Sequence, residues 1–480
     1  MSRDQAVRVR APHVLASTLA LLALAAIACT PSTAHDAAAA VQLRAWPTPR
    51  PFDSASSPIV CVEPDVAAAL LPTSPSGPLS LRGDPAFHPD QLGPTARYWY
   101  DALWDALQDP EFAAWITAVA GRDDLYHYGR TLHTHLSSLL NAFRVTGDLS
   151  LLDEVDRLAE HMRSKLRDGW RSTLDGTSGT RDGYLNWVHR YGDSTAHQGK
   201  DLHLFNEMRT HAIVAEFTWA FHANRDLTSP NGVDYGQRAQ VWTSYLLENF
   251  EPKWRERNGV AEGVLPFLDH DSVHSSVAFI KYHHYQAQLT GEGSYATEAR
   301  RLTDAVLAEF RQVAAGASSA YVWPRFRESS GARHYLQPTT YARYVIGDAV
   351  TLHLEDAYRW RDPALVTGLA ATVREMVMNT RASFPAFHRD VGGGTTRAGI
   401  PPSDAADFNP ITENQYAASP YGFAASWDRQ GTISTWNCAI HVRRTQRWLD
   451  VHLPAGMLIA FANDRAAARA DAGEGARSQP

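Results

Sequence analysis

Three stretches of the chain decide its fold: Asn206-Glu-Met-Arg-Thr-His-Ala-Ile-Val-Ala, His274-Ser-Ser-Val-Ala-Phe-Ile and Tyr341-Ala-Arg-Tyr-Val-Ile-Gly. Each begins with a polar residue and continues as a strongly apolar helical run, and the first residues are spaced 68 and 67 positions apart. The runs end at short polar breaks, which are Arg225-Asp226, Thr290-Gly291 and Arg361-Asp362. One structural unit is therefore repeated, and a repeat brings equivalent positions together in space.

In each unit a mostly apolar helix precedes a short polar turn and an amphipathic helix. A helix that is apolar nearly all round must be buried, whereas an amphipathic helix can face water. The predicted pairs are Tyr128–Arg144 with Leu151–Leu166, Met208–Phe221 with Gly236–Phe250, Val273–Leu289 with Ala296–Phe310, Tyr344–Tyr358 with Pro363–Met378, and two weaker pairs near Thr95–Ala120 and Tyr421–Leu453. The pattern predicts an all-α fold, an (α/α) toroid built as an incomplete or closed barrel of about five to seven helical hairpins; the alternative is an open α-solenoid, whose repeats are shorter.

The connections differ in length on the two sides of the repeat. Turns from the apolar to the amphipathic helix are short, but the returns to the next apolar helix are long, over residues 167–205, 251–272, 312–340 and 381–416. All returns would lie on one face, where Asn206, His274 and Tyr341 begin their helices. Long loops on one rim of a rigid scaffold are where function usually resides.

Composition narrows the classes of partner. The chain has 480 residues, of which 44% are hydrophobic and 20% charged, and its net charge is −7. This size is enough for one large domain or two medium ones. Because there is no basic surplus to match phosphates, nucleic acid is not expected as the main partner. The 14 Trp, 18 Tyr and 21 His residues suit a sugar-binding cleft, although buried aromatic residues explain such richness equally well.

The N-terminus has the pattern of an export signal. Arg3, Arg8 and Arg10 precede an apolar stretch, Val14–Ala28, which is short for a membrane-spanning helix and ends in small residues. Ala26-Ile27-Ala28-Cys29 is similar to a bacterial lipobox, with Ala26 where Leu is usual, so Cys29 would carry a lipid; plain cleavage near Ala28 or Ala34 is the alternative. We expect an exported protein, periplasmic or bound to the outer membrane through the lipid, or secreted.

We divide the chain accordingly. Residues 1–29 form the signal peptide, 30–60 an Ala/Pro/Ser-rich tether, 61–462 the (α/α) toroid catalytic domain, and 463–480 a disordered tail. Cys61 and Cys438 remain after Cys29, and two such cysteines can pair in an oxidising compartment, although the sequence does not show that they are close.

The three polar residues suit one reaction, β-elimination across a uronic acid. A base removes the C5 proton beside a carboxylate, and the C4–O bond then breaks. Since that proton is barely acidic while the carboxylate is charged, Asn, His and Arg donors must neutralise the group. A Tyr can be the base where positive charge lowers its pKa, and can return the proton to the leaving oxygen. We assign Tyr341 as base and acid, with Asn206, His274 and Arg333 around the carboxylate.

Further residues on the same rim are candidates for substrate binding. They are Arg343, Arg209, His127, Arg130, Tyr126, Trp187, Trp323 and His270. Arg343 is also an alternative to Arg333 as the cation that supports Tyr341.

Each assignment has a structural alternative. Asn206 could be a helix N-cap, His274 a core imidazole and Tyr341 a packing residue, and Arg209 and Arg343 could pair with carboxylates. His283-His284 and His133/His135 do not have convincing metal-ligand spacing, so we predict neither a metal nor a cofactor.

Across roughly residues 85–460, the hairpin pattern, the export signal and the Asn206/His274/Tyr341 set resemble the helical-toroid polysaccharide lyases that act on alginate and glucuronan. The resemblance is to polysaccharide lyase family 38, and more distantly to the family 5 alginate lyases, whose Asn-His adjacency is missing here. It implies an acidic polysaccharide as the partner, Asn and His contacts to its carboxylate, an assisting Arg, and Tyr as base and acid.

Two other functions remain open at the level of sequence. A glycoside hydrolase on the same scaffold needs two carboxylates, which Glu207 with Asp271 or Asp269 could supply, with Glu413 as a further candidate. A non-catalytic glycan-binding lipoprotein would bind a polysaccharide without forming new chain ends.

Overall fold

The structure is a computed structural model, which describes residues 80–92, 100–101, 103–104, 107–108, 110–172, 179–188, 204–260, 262–265, 272–315, 318–327, 336–372, 378–379, 386–387 and 391. The export signal with Cys29, the tether, Cys61, Cys438, the helix pair near Tyr421–Leu453 and the tail lie outside these residues.

The described chain is mostly helical, as the sequence predicts. Its elements, in chain order, are α1 (Pro110–Ala120), α2 (Leu125–His127), the π-helical turn π1 (Tyr128–Leu132), α3 (His133–Thr146), α4 (Leu149–Arg163), β1 (Arg167–Ser172), β2 (Gly179–Asn186), α5 (Leu204–Ala223), α6 (Tyr235–Tyr245), the π-helical turn π2 (Leu246–Phe250), α7 (Glu251–Arg257), α8 (Val273–Thr290), α9 (Gly293–Ala308), β3 (Arg311–Ala315), β4 (Ser318–Val322), α10 (Thr339–Leu354), α11 (Pro363–Ala371), β5 (Met378–Asn379) and β6 (Ala386–Phe387). Short 3-10 turns lie at Pro89–Gln91 and Tyr358–Arg361.

The four strong helix pairs of the sequence are present as α3/α4, α5/α6, α8/α9 and α10/α11. Two of the short turns between them end the first helix on a left-handed glycine, Gly147 with φ 72° and Gly291 with φ 71°. Only glycine adopts this conformation without strain, and it satisfies the last carbonyl groups of the helix. Asp148 then caps α4 by accepting a hydrogen bond from the Ser150 N–H.

The first helices of the pairs pack side by side and run in the same direction. At their starts, the Phe205 ring lies 4.8 Å from the His274 ring and 6.0 Å from the Tyr341 ring, centroid to centroid. Near their far ends, the Arg144 guanidinium on α3 lies 2.6 Å from the Glu355 carboxylate just after α10. Contacts at both ends make α3, α5, α8 and α10 a parallel layer, with all of their N-termini on one face.

A chain of buried ion pairs joins these four helices. Arg144 contacts Glu216 at 3.3 Å, and Lys281 contacts Glu216 and Asp348, each at 3.0 Å. Asp348 also accepts a hydrogen bond from Arg209 at 3.2 Å. Every one of these five side chains is buried. A charge that is taken from water is tolerated only when it is paired, so this network holds the helices in one register.

The second helix of each pair has one apolar face against this layer. In α4 the buried apolar residues are Leu149, Leu151, Leu152, Val155, Leu158, Ala159 and Met162, at helical spacing. They belong to the same core cluster as the α3 and α5 side chains. The apolar–amphipathic alternation in the sequence therefore corresponds to an inner and an outer layer.

The return segments contain β-hairpins that helical periodicity does not indicate. Strands β1 and β2, β3 and β4, and β5 and β6 form three antiparallel pairs, and each pair follows an outer helix. An isolated bridge joins Ser272 to Phe326, and the Val273 N–H donates to the Arg325 carbonyl at 2.9 Å. The segment after β4 is thereby held at the start of α8.

No helix among the described residues is both long enough and apolar enough to span a membrane.

Replacing Lys281 should destabilise the fold. Lys281→Met removes the cation between Glu216 and Asp348 and leaves two buried carboxylates short of a partner, which we expect to cost about 3–5 kcal/mol. Urea unfolding measures the loss. Arg301→Gln is the control, because the exposed Arg301–Glu298 pair should be worth only about 0–0.5 kcal/mol after screening by solvent. Equal effects of the two substitutions would contradict a structural role for the buried network.

Stability should fall on acidification below the ordinary histidine pKa of 6.5, partly because of His133. Burial, with help from Arg209 and Lys281, lowers the pKa of His133 to about 3. Between pH 6.5 and about 3, His133 binds a proton in the unfolded chain but stays neutral in the folded chain. Acidification through this range therefore favours unfolding. We expect His133→Asn to reduce the slope of unfolding free energy against pH by about 1.4 kcal/mol per pH unit within this window, measured by urea unfolding. An unchanged slope would contradict a neutral His133 in the folded state.

Candidate active site

The first turns of α5, α8 and α10 bring Asn206, His274 and Tyr341 to one place. The His274 and Tyr341 rings lie 4.8 Å apart, centroid to centroid, and Phe205 packs edge-on against both. Asn206 and His274 are buried and Tyr341 is partly exposed. The imidazole and the phenol thus meet at the face where the inner helices begin, and Asn206 directly follows the Phe205 that contacts both.

The helix ends make this place electropositive. Residues 206, 274 and 341 lie in the first turns of helices of 20, 18 and 16 residues. The starts of α8 and α10 have neither a side-chain cap nor an acidic residue in the first turn. The aligned peptide dipoles at such starts attract anions.

Two arginines contact the central residues directly. The Arg130 Nε donates a hydrogen bond to the Asn206 Oδ1 at 3.4 Å. The guanidinium carbon of Arg325 lies 5.0 Å from the centre of the Tyr341 ring, within cation–π distance. Arg325 comes from the segment after β4 that is bonded to the start of α8. Positive charge therefore reaches the site from a loop as well as from the helices.

A second tyrosine, Tyr344, lies one turn further along α10. Its hydroxyl accepts a hydrogen bond from Arg343 Nη2, and the Arg209 guanidinium carbon lies 3.9 Å from its ring centre. Burial raises the pKa of Tyr344, but the guanidinium groups of Arg343, Arg130 and Arg209 lower that pKa by more, so its net displacement is downward. The site thus contains a phenol that ionises more easily than an ordinary tyrosine.

The π-helical turn π1 lets the start of the first inner helix approach α5 closely. A side-chain carbon at Gly129 would lie 2.7 Å from the Asn206 carbonyl oxygen and 2.8 Å from its Cα. The Gly129 carbonyl in turn accepts a hydrogen bond from Arg209 Nε at 2.8 Å. A π-turn adds a residue to the helix and commonly occurs at functional sites. Here it places Arg130 against Asn206.

Tyr126 and His127 lie at the edge of the site. The Arg130 guanidinium carbon lies 4.4 Å from the centre of the Tyr126 ring. His127 is partly exposed, with its Nε2 3.0 Å from Arg122 Nη1 and 3.7 Å from the Asp124 carboxylate. Tyr126 therefore borders the arginine cluster, while the imidazole contributes to a local polar network.

The structure corrects the roles that we expected for the two tryptophans. Trp187 and Trp323 are each 0% exposed. The Trp187 indole donates to the Met162 carbonyl at 2.8 Å, and Trp323 stacks on Phe310 with ring centres 5.0 Å apart. Return loops run over a surface, but these indoles turn inward because the core gains from burying such large rings. They are core residues and do not line a substrate cleft.

Two predicted substrate arginines have internal partners instead. Arg209 is 2% exposed and pairs with Asp348 and the Gly129 carbonyl, which is the alternative that the sequence left open. Arg343 is buried against Tyr344, not over Tyr341. The cation over Tyr341 among the described residues is Arg325.

Several candidates cannot be placed. Arg333, His270, Asp269, Asp271 and Glu413 lie outside the described residues.

Glu207, the proposed acid of a hydrolase, is part of the core. It is 0% exposed, and its Oε1 accepts from Lys253 Nζ at 2.6 Å and from Asn186 Nδ2 at 2.7 Å. Its Oε2 lies 3.3 Å from His211 Nδ1. The carboxylate therefore ties α5 to β2 and α7 and is not directed at a substrate.

Tyr344 and Arg325 are the functional candidates that sequence reasoning missed. Tyr344 stands three residues after Tyr341, a spacing that puts both on one helix face, and this signal was available. Arg325 could not be found in this way, because its position depends on the Ser272–Phe326 bridge between segments distant in sequence.

Within the described part of the chain, no group of three or more His, Cys, Asp or Glu side chains is arranged to hold a metal ion. No protein-family model, curated protein or solved structure matches this sequence.

Adding one methyl group at Gly129 should disturb the site. Gly129→Ala forces π1 away from Asn206, which we expect to cost about 1–3 kcal/mol and to displace Arg130 from the amide. Thermal unfolding measures the loss of stability. Gly293→Ala is the matched control, because nothing lies within 4 Å of its added carbon. Full stability of Gly129→Ala would show that the close approach is unimportant.

Proposed function

We propose that this protein is a polysaccharide lyase that cleaves a uronic-acid polymer of the alginate or glucuronan type by β-elimination. The observation that carries the proposal is the meeting of Asn206, His274 and Tyr341 at the starts of three parallel helices, with His274 and Tyr341 only 4.8 Å apart. The guanidinium groups of Arg130 and Arg325 add positive charge at the same place. An acidic sugar is the ligand that such a site favours.

Each residue has a step to perform. The partly exposed Arg130 and Arg325 bind the uronate carboxylate and stabilise the charge that moves onto it as the C5 proton leaves. The buried Asn206 amide bonds to Arg130, and the buried His274 packs on Tyr341, so these two residues support the groups that meet the substrate. Tyr341 takes the C5 proton as the general base. The C5–H electron pair forms the C4–C5 double bond, the C4–O bond breaks, and the leaving oxygen receives a proton from the phenol. The products are one new reducing end and one unsaturated uronate, and no water is consumed.

The surroundings of Glu207 argue against its use as the acid of a hydrolase. A hydrolase needs two carboxyl groups facing the scissile bond, separated by roughly 5–9.5 Å. The one hydrolase candidate within the described residues, Glu207, is fully buried and bonded to Lys253 and Asn186. It has no surface from which to protonate a glycosidic oxygen.

The toroid fold and the location outside the cytoplasm are part of the same proposal. A parallel inner layer with an amphipathic outer layer is what each sector of an (α/α) toroid requires, and we propose that the helix pairs continue into such a ring. Together with the lipobox-like Ala26-Ile27-Ala28-Cys29, this makes an exported enzyme that meets its polymer outside the cytoplasm.

Removing the Tyr341 hydroxyl should slow the reaction strongly. We expect Tyr341→Phe to lower turnover by about 10²–10⁴-fold, the usual contribution of a general acid–base group. The assay follows near-ultraviolet absorbance and reducing ends together, with alginate, its mannuronate and guluronate blocks, glucuronan and neutral glycans as substrates.

Tyr358→Phe is the control, because the Tyr358 hydroxyl lies on the surface against Asp304 and should not affect turnover. Near wild-type turnover of Tyr341→Phe would contradict the proposal. New reducing ends without absorbance would mean hydrolysis, and saturable binding without either signal would mean a glycan-binding protein.

A further inference from the structure

Phe205, in the first turn of α5, is the buried residue that the aromatic groups of the site share. It is 3% exposed. Its ring centre lies 4.8 Å from that of His274, 6.0 Å from that of Tyr341 and 5.6 Å from that of Tyr344. The first two contacts are edge-on, with interplanar angles of 75° and 74°. One phenylalanine therefore packs against rings from both α8 and α10.

Phe205 also contacts arginines at the neighbouring helix starts. The guanidinium carbon of Arg130, on π1, lies 5.5 Å from the Phe205 ring centre, and that of Arg209 lies 5.9 Å away. Both distances are within cation–π range. The ring therefore contacts Arg130, which we assign to the substrate carboxylate, and Tyr341, which we assign as the base.

The Tyr341 hydroxyl depends on ring packing for its position. Tyr341 is partly exposed, and within the part of the chain that the structure describes its hydroxyl makes no hydrogen bond. Its side chain contacts the rings of Phe205, His274 and Tyr344 and the guanidinium group of Arg325. Because a protein interior is close-packed, loss of one ring allows its neighbours to shift or leaves a cavity.

The two arginines of the site have supports other than Phe205. Arg130 Nε donates to the Asn206 Oδ1 at 3.4 Å, and the Arg130 guanidinium carbon lies 4.4 Å from the Tyr126 ring centre. Arg325 is held through its backbone, whose carbonyl accepts a hydrogen bond at the start of α8. Loss of the Phe205 ring should therefore disturb the base more than the groups that bind the carboxylate.

We propose that Phe205 is a positioning residue, which holds the Tyr341 ring in a fixed relation to the carboxylate that Arg130 binds. This role rests on the proposed function. General-base catalysis requires the phenol oxygen within hydrogen-bond reach of the C5 proton. A displacement of about 1 Å can cost about 10²-fold in rate, because the reacting atoms no longer meet in the productive geometry. Phe205 itself is buried and acts only through Tyr341.

Phe205→Leu keeps the position apolar but removes the ring. We expect it to lower kcat by about 10–10²-fold through misplacement of Tyr341. The KM for a uronate oligosaccharide should change by less than about threefold, since Arg130 and Arg325 keep their other supports. Initial rates of the increase in near-ultraviolet absorbance, over a range of oligosaccharide concentrations, separate the two constants.

Phe217→Leu is the matched control. Phe217 lies on the same helix, is 0% exposed, and contacts Phe221 and Trp242. Each substitution removes a buried ring, so both should lower the melting temperature, but only Phe205→Leu should lower kcat. Phe205→Met, which fills more of the space, replaces Phe205→Leu if that variant does not fold. Equal kcat values at the two positions would overturn the positioning role, and so would a loss confined to KM.

Nuclear magnetic resonance of the histidine rings tests the packing without turnover. An aromatic ring displaces the resonances of nuclei beside it, so Phe205→Leu should move the His274 imidazole signal, while Phe217→Leu should leave it in place. The signal is assigned by its loss in His274→Asn. A His274 signal that does not respond to Phe205→Leu would overturn the contact on which the proposal depends.

Failure of the lyase function gives a different result from failure of the positioning role. In the first case wild type forms no unsaturated product from any uronate polymer, while the His274 signal still responds to Phe205→Leu. In the second case wild type eliminates, and Phe205→Leu eliminates with the kcat of Phe217→Leu.

Discussion

The buried ion-pair chain through Arg144, Glu216, Lys281, Asp348 and Arg209 is the constraint on which the arrangement of the inner helices depends. Apolar packing alone would allow these helices to slide, because leucine and alanine faces fit in several registers. Helices joined by buried ion pairs cannot slide in this way, because a shift would separate the partners and leave buried charges unpaired. The chain crosses α3, α5, α8 and α10, so it fixes the relative height of all four helix starts.

Because the starts of the inner helices are fixed relative to one another, single polar residues at those starts can form a site. Asn206, His274 and Tyr341 occupy equivalent turns at similar heights, and Phe205, the residue before Asn206, contacts the His274 and Tyr341 rings. Arg209 belongs both to the ion-pair chain and to the site, because it pairs with Asp348 and its guanidinium group lies over the Tyr344 ring. The same buried charges that hold the scaffold therefore contribute to the positive field at the site.

The repeat made much of the scaffold predictable, because a period of 67–68 residues with alternating apolar and amphipathic helices has few packing solutions. Its helix pairs and its glycine-terminated turns follow the sequence closely. The β-hairpins are not indicated by the helical pattern, because their pairing depends on contacts between segments that follow the outer helices. The sequence favours substrate binding for Trp187 and Trp323 because they lie in return loops, but both indoles are buried. Position in a loop says little about burial, and burying a large indole ring in the core is favourable. The Arg325–Tyr341 contact arises from tertiary structure alone.

The most direct measurement is the mass of the products formed from a uronate oligosaccharide of known length. Elimination breaks the C4–O bond without water, so the masses of the two fragments should sum to the mass of the substrate. We expect this sum, with one fragment carrying the unsaturated uronate. Fragments that together exceed the substrate by one water molecule would show hydrolysis and contradict the role assigned to Tyr341.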